Sequence, residues 1–164
     1  MAKKVQKKVG DPTSHEYTNR KALHNYEIHE RLEAGIVLKG AEVKSLRNGG
    51  GDLMDAYAKV EKGELWLHGM KIAAYAFDQE NSYTPRRPRK LLMHKREILK
   101  LRQRTLEKGY TIVPLRAYFK DGKVKIELGL AKGRKTFERR EVIAERDASR
   151  EMDRVRKSRG HSDD

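Results

Sequence analysis

Hydrophobic and polar positions fall into three regimes along the chain. Over residues 1–18 nothing apolar repeats, and Lys3, Lys4, Lys7 and Lys8 precede Gly10 and Pro12, which predicts a flexible basic arm. From Asn25 the pattern becomes periodic. Tyr26 and Ile28 alternate with Asn25, Glu27 and His29 as a strand does. Apolar content continues through Leu32, Ala34, Ile36, Val37 and Leu38, punctuated by Gly35 and Gly40. Residues 41–47 read as a short helix stopped by Asn48-Gly49-Gly50-Gly51. Tyr57 to Val60 and Leu65 to Ile72 flank a turn-prone Glu61-Lys62-Gly63-Glu64, which predicts a hairpin.

Residues 78–89 are polar, with Pro85 and Pro88 among Arg86, Arg87 and Arg89, and read as a basic surface loop. A short apolar run, Leu91 to Met93, then precedes a helix. There Ile98, Leu99, Leu101 and Leu106 share one half of the circumference, and Lys108-Gly109 is the expected stop. The clearest strand signal follows. Val124, Ile126 and Leu128 alternate with Lys123, Lys125 and Glu127, and Asp121-Gly122 joins this strand to Ile112–Phe119 through a type I′ turn.

Short strands with two or three short helices predict a mainly β protein, an antiparallel barrel over residues 19–131. An OB-like barrel suits the length, and other small barrels fit the same strands. Residues 132–164 form the third regime, a basic tail. From Glu138 to Arg159 the residues favour helix, and Arg146, Arg150 and Arg154 share one face. Val142, Ile143, Met152 and Val155 give too little apolar surface for docking, so the tail is expected to be disordered when free and helical on a polyanion.

Composition sharpens this picture. Lys and Arg number 38 against 24 Asp and Glu, a formal charge of +14, while only 37% of residues are hydrophobic. So large a surplus repels itself unless a polyanion neutralises it, and nucleic acid is the usual one. No stretch approaches the ~20 apolar residues of a spanning helix, so no membrane partner is expected. Met1 to Gly10 lacks the apolar core of a signal peptide. The absence of cysteine excludes disulfides and thiolate chemistry and fits the cytoplasm.

Enzymatic motifs fail in detail. His29-Glu30 has no second histidine at zincin spacing, and Gly129 to Thr136 misses the phosphate-loop spacing by one residue. Asp52 and Asp55 are the residues a nuclease-type metal site would use, though two acids beside a glycine run more often make a turn. No cofactor or metal is expected. His24 and His94 lie beside basic residues and read as RNA contacts. Most aromatics read as core, whereas Phe137, in a run of charges, reads as a stacking ring. Three classes of function remain: an RNA-binding adaptor without catalysis, an RNA-processing enzyme on a barrel, and a structural ribosomal protein.

Asn19-Arg20-Lys21-Ala22, Glu33-Ala34-Gly35, Gly40-Ala41-Glu42-Val43-Lys44-Ser45-Leu46-Arg47, Arg89-Lys90-Leu91-Leu92, Glu107-Lys108-Gly109-Tyr110-Thr111 and Leu130-Ala131-Lys132-Gly133-Arg134-Lys135 together resemble the SsrA-binding proteins, partners of bacterial transfer-messenger RNA. The resemblance implies an OB-fold barrel, a monomer, and rescue of ribosomes stalled on messages without a usable stop codon. It implies that Glu33, Leu92 and His94 hold the tRNA-like part of the RNA. Asn19, Lys21, His24 and Tyr26 are implied as further contacts, and the basic residues Lys44, Arg47, Arg89 and Lys90 of the matching segments are expected beside them. It also implies that the tail enters the decoding region and the empty message channel. There Lys132, Gly133, Arg134, Lys135, Phe137, Glu138, Arg139 and Arg140, then Arg146, Arg150 and Arg154, would meet ribosomal RNA. Elongation factor Tu is implied in a shared complex.

Overall fold

The computed structural model describes residues 15–107, 109–134 and 136–159; the side chains of 136–139, 141, 142, 158 and 159 fall outside that description. Most of the expected basic arm, together with Lys135 and the side chains of Phe137, Glu138 and Arg139, therefore lies outside the described residues. The elements in chain order are β1 (Tyr17–Thr18), α1 (Arg20–Asn25), β2 (Tyr26–Ile36), α2 (Gly40–Arg47), β3 (Gly51–Asp52), β4 (Tyr57–Glu61), β5 (Glu64–His68), β6 (Lys71–Ile72), β7 (Arg89–Leu92), α3 (Lys95–Thr105), β8 (Tyr110–Lys120), β9 (Lys123–Gly133) and α4 (Thr136–Arg159).

The strands close on themselves. In the order β8, β4, β5, β7, β2 and β9 each is bonded to the next, and β9 returns to β8, so the sheet is an antiparallel barrel with β1 added beside β8. This is the barrel expected from the strand pattern. Both hairpin turns carry left-handed residues, Lys62 and Gly63 at φ 49° and 77°, and Asp121 and Gly122 at φ 51° and 75°. These angles at both central positions are the type I′ geometry that matches strand twist.

Two bulges divide the interior. Register slips between Ile28 and Glu30 on β2, and between Pro114 and Arg116 on β8. Pro114 cannot donate to a ladder, and a bulge is where a strand accommodates that. Inside the barrel, Leu128, Leu130, Ile126, Ile112, Leu65, Leu67 and Leu91 form the main core with Leu46 and Leu101 from α2 and α3. On the outer side of the bulges, Val113, Leu115 and Ala131 pack under Ala22 of α1 as a second small core. Asn19 caps α1: its Oδ1 accepts the Ala22 N–H at 3.1 Å, and its Nδ2 donates to the carbonyls of Leu53 at 3.1 Å and Pro114 at 3.0 Å.

One buried ion pair ties α2 to the barrel. Glu42 and Arg89 are both 0% exposed. Glu42 Oε2 accepts the Arg89 Nε–H, and Oε1 accepts Arg87 and, at 3.0 Å, the Lys39 N–H. The remaining Arg89 donors reach the Met70 carbonyl at 2.8 Å and the Pro85 carbonyl at 3.1 Å. Burial pushes the Glu42 carboxyl up, but the bonds from Arg87, the Lys39 amide and Arg89 outweigh it and hold it below the ordinary 4.5.

The structure corrects several expectations. Residues 15–18 belong to the fold and not to a flexible arm: the Tyr17 hydroxyl donates to the Leu46 carbonyl at 2.6 Å, and His15 Nδ1 lies 2.9 Å from the Arg47 carbonyl. The strand expected over Leu65 to Ile72 breaks at Gly69, φ 79°, where an added Cβ would sit 2.9 Å from the Asp55 carbonyl oxygen. Beyond it β6 pairs with β3 in a separate small sheet. Arg89 is not in a surface loop, because its guanidinium is enclosed. In α3 only Ile98 and Leu101 are buried, while Leu99 is 54% and Leu106 79% exposed. The helix ends at Thr105, short of the expected Gly109 stop, which places Leu106 at the cap. Strand β9 runs on through Lys132 and Gly133, past the expected start of the tail, because β2 is long enough to pair with both.

Replacing Glu42 with Gln leaves Arg89 buried without a counter-charge and is expected to cost on the order of 3–5 kcal/mol, read as a lower urea midpoint. Because the Glu42 carboxyl titrates lower in the fold than in the unfolded chain, its contribution is complete above the ordinary carboxylate range and is lost as pH falls through the folded value. The stability gap between wild type and E42Q should therefore close only under acid.

Candidate nucleic-acid interface

Side chains leaving the barrel on β2, β9 and β8 alternate in charge. Glu127 accepts Arg116 at 2.6 Å and Arg31 at 3.3 Å, and Arg116 reaches Glu16 at 2.9 Å. Next along β2, Glu33 accepts the Tyr118 hydroxyl and, at 3.1 Å, Lys120 Nζ. The Tyr118 bond, against partial burial and with help from Lys120 and Lys125, holds the Glu33 carboxyl below its ordinary value. Burial and the same bond push the Tyr118 hydroxyl well up. Glu33 is thus an oriented, ionised acceptor in a cationic setting.

Beyond Glu33 the surface becomes apolar. Gly35 stands opposite Leu92 in the β2–β7 pairing, and an added Cβ at Gly35 would lie 3.3 Å from the Leu92 Cβ. Leu92 is 52% exposed. With Ile36, Leu38, Val43 of α2 and Val124, it lines a groove of about 360 Å³ that Lys123 and Lys125, at the start of β9, also line. His94, exposed, follows as the residue before the first turn of α3. An apolar floor beside lysines suits a nucleotide, with sugar and base on carbon and phosphate on nitrogen.

Of the residues singled out for the barrel, the structure brings Glu33, Leu92 and His94 to this side. Lys90 lies on the outer face of β7, 2.9 Å from Glu64. Lys44 and Arg47 project from α2 over the rings of Tyr75, at 5.8 Å, and Phe119, at 5.2 Å. Two assignments are overturned. Arg89 is sealed against Glu42 and cannot reach a ligand. Asn19 is buried with its amide committed to three backbone partners. Lys21 pairs with Asp55 across a second cavity, of about 380 Å³, that Tyr26, Asn25 and Tyr57 also line. His24 is half-buried, with Nδ1 3.0 Å from Asn25 Oδ1.

The end of β9 forms a junction. Lys132 and Arg104 lie over the Tyr110 ring, 4.6 and 4.9 Å from its centroid, and His29 meets that ring edge-on at 5.3 Å. Gly133 pairs with Tyr26. The Arg134 N–H donates to the Asn25 carbonyl at 2.9 Å, and its Nε to the Tyr26 carbonyl at 3.2 Å. Arg134 is therefore a clamp at the root of the tail. In α4, Arg140 and all described residues from Ile143 to Lys157, including Arg146, Arg150 and Arg154, are exposed.

Asp52 caps its own turn, accepting the Met54 N–H at 2.8 Å, and Asp55 at φ 65° is engaged with Lys21, as the turn reading requires. No metal-holding group of His, Asp and Glu occurs among the described residues. Tyr118, Lys120, Lys123 and Lys125 were not assigned to the site from sequence; the alternation of Lys123 and Lys125 with core residues was the available signal.

A family model described as SmpB protein matches residues 16–158. The SsrA-binding protein of Carboxydothermus hydrogenoformans is 55% identical over 141 residues, 86% of this chain and 95% of that one. That of Thermobifida fusca is 45% identical over 159 residues, 97% of this chain and 99% of its own. A chain solved in work on "tmRNA-SmpB: a journey to the center of the bacterial ribosome" is 48% identical, with a TM-score of 0.63, over 76% of this chain and 86% of the other.

Replacing Tyr118 with Phe removes the leading cause of the Glu33 shift, so the Glu33 carboxyl should titrate closer to 4.5 in a carboxyl-carbon NMR titration. An unchanged titration would show that the lysines alone set it.

Proposed function

The chain belongs to the SmpB family, and from that premise we propose that it is a non-catalytic RNA-binding adaptor that carries the tRNA-like part of transfer-messenger RNA to stalled ribosomes for trans-translation. The observation that carries this reading is the split in how the chain spends its hydrophobic residues. They close a barrel whose outer side offers the Leu92 groove, its lysines and the oriented Glu33, and they leave α4 with no buried described side chain.

In this reading the groove takes the RNA, with Glu33 and His94 accepting or donating hydrogen bonds, Leu92 packing on a sugar or base, and Lys120, Lys123 and Lys125 meeting phosphates. Lys44, Arg47 and Lys90 add charge around it, and Lys21, His24 and Tyr26 contact RNA from the side of α1. The tail is the ribosomal half. Lys132 to Arg140, with Phe137 as a stacking ring, occupy the decoding region, and Arg146, Arg150 and Arg154 line the empty message channel along one helix face. An isolated polar helix is marginal in water. A wall of phosphates would supply what α4 lacks, so that the cost of ordering it falls on binding and makes engagement conditional on an empty channel. Residues 15–134 then serve as the RNA-binding unit and 135–164 as the conditional one, in a complex shared with elongation factor Tu. The second partner surface also separates this reading from that of a structural ribosomal protein, which would need only ribosomal RNA.

Ending the chain after Arg134 keeps β9 and its clamp. This truncated form should bind transfer-messenger RNA as the whole chain does and fail to support tagging in a stalled-ribosome translation assay. Tagging by the truncated form would remove the tail from the mechanism, and failure of the full chain to bind the RNA would remove the adaptor.

A further inference from the structure

Between β6 and β7 the chain carries two aromatic rings, the half-buried Tyr75 and the exposed Phe77, that neither the core nor the groove uses. Phe77 is 80% exposed. Its ring centroid lies 5.5 Å from that of Tyr75 at an interplanar angle of 60°, and Lys44 Nζ stands 5.8 Å from the Tyr75 ring. Ala74 and Ala76, on either side of Tyr75 in sequence, are exposed and small.

This segment is held in place. The hydroxyls of Ser45 and Tyr83 both donate to the Ala73 carbonyl at 2.6 Å. The Asp78 carboxylate accepts the Ser82 N–H at 2.9 Å and its hydroxyl at 2.8 Å. Lys39 of the α2 entry donates to the Ser82 carbonyl. Presenting an exposed phenyl ring on a tethered loop forfeits the free energy of burying it.

The loop is continuous with the groove. Val43 of α2 lines the groove beside Leu92, and its neighbour Lys44 carries the contact to Tyr75. Lys39, Lys44 and Arg47 are exposed on α2 between the two places. Opposite charge on the loop comes from Asp78, engaged with Ser82, and from exposed Glu80. We infer that Tyr75 and Phe77 form a stacking platform for an unpaired base of the RNA whose neighbouring nucleotides lie in the Leu92 groove. Every base has a π-face, and aromatic rings beside a cation are what unpaired bases stack on.

This inference rests on the adaptor reading, and one experiment separates the two. Affinity for the tRNA-like domain of transfer-messenger RNA is measured by anisotropy for wild type, Phe77→Ala, Phe77→Leu, Phe77→Trp and Leu92→Asp, each at several salt concentrations. Stacking predicts that Ala and Leu weaken binding roughly fivefold or more, while Trp preserves it. The slope of affinity against salt should stay constant across the Phe77 series, because no phosphate contact is removed. If wild type binds, Leu92→Asp weakens binding, and Phe77→Ala and Phe77→Leu bind as wild type does, the platform is refuted and the adaptor stands. Full affinity with Leu and loss with Ala also refutes it, since an apolar contact would then replace stacking. If wild type does not bind this RNA, the adaptor and the platform fall together.

Discussion

Taking a guanidinium and a carboxylate out of water costs several kcal/mol each, and Arg89 and Glu42 are both taken out completely. What makes this tolerable is that the remaining donors of the guanidinium and the second carboxylate oxygen are also bonded. The carboxylate holds the entry of α2 through the Lys39 amide and the connection before β7 through Arg87. The guanidinium holds the carbonyls of Met70 and Pro85. Three separate stretches of chain, residues 39–42, Met70 and residues 85–89, thus meet at one charge pair under the helix that carries Lys44, Arg47 and the groove wall Val43. The outer surface of α2 is thus positioned from beneath by a pair that is itself sealed from solvent.

Charge on the exterior follows a different rule. Along β2, β9 and β8 each acid is bracketed by cations, Glu127 by Arg31 and Arg116, Glu33 by Lys120 with Tyr118. These pairs are exposed or partly so and add little stability. Their effect is orientation: the carboxylate of Glu33 is fixed in direction and held below its ordinary pKa by Tyr118 and the lysines beside it.

Periodicity made the barrel legible. Val124, Ile126 and Leu128 alternate with Lys123, Lys125 and Glu127 because one face of β9 meets the core, and Asp121-Gly122 announces its turn by residue type alone. Leu92 and His94, expected from sequence to lie on the outer surface, are exposed in the fold. Arg89 was not, since charge at a single position says nothing of a carboxylate 47 residues away. Asn19 failed for a related reason: a polar cap satisfied by Leu53 and Pro114 looks in sequence like a polar contact waiting for a ligand. Helix phase misled at Leu99 and Leu106, because a short helix capping a barrel end buries a single stripe and the helix stops before Leu106. The break at Gly69 depended on the Asp55 backbone packed against it, information no local window holds.

Strand β9 connects the two working ends of the molecule without interruption. Lys125 borders the groove, and Gly133, eight residues on, sits at the Arg134 clamp, a span of roughly 25 Å at ~3.3 Å per residue. A hydrogen-bonded strand in a closed barrel does not stretch. The molecule is therefore a calliper: the groove at one end of β9 and the root of α4 at the other are held at a set separation.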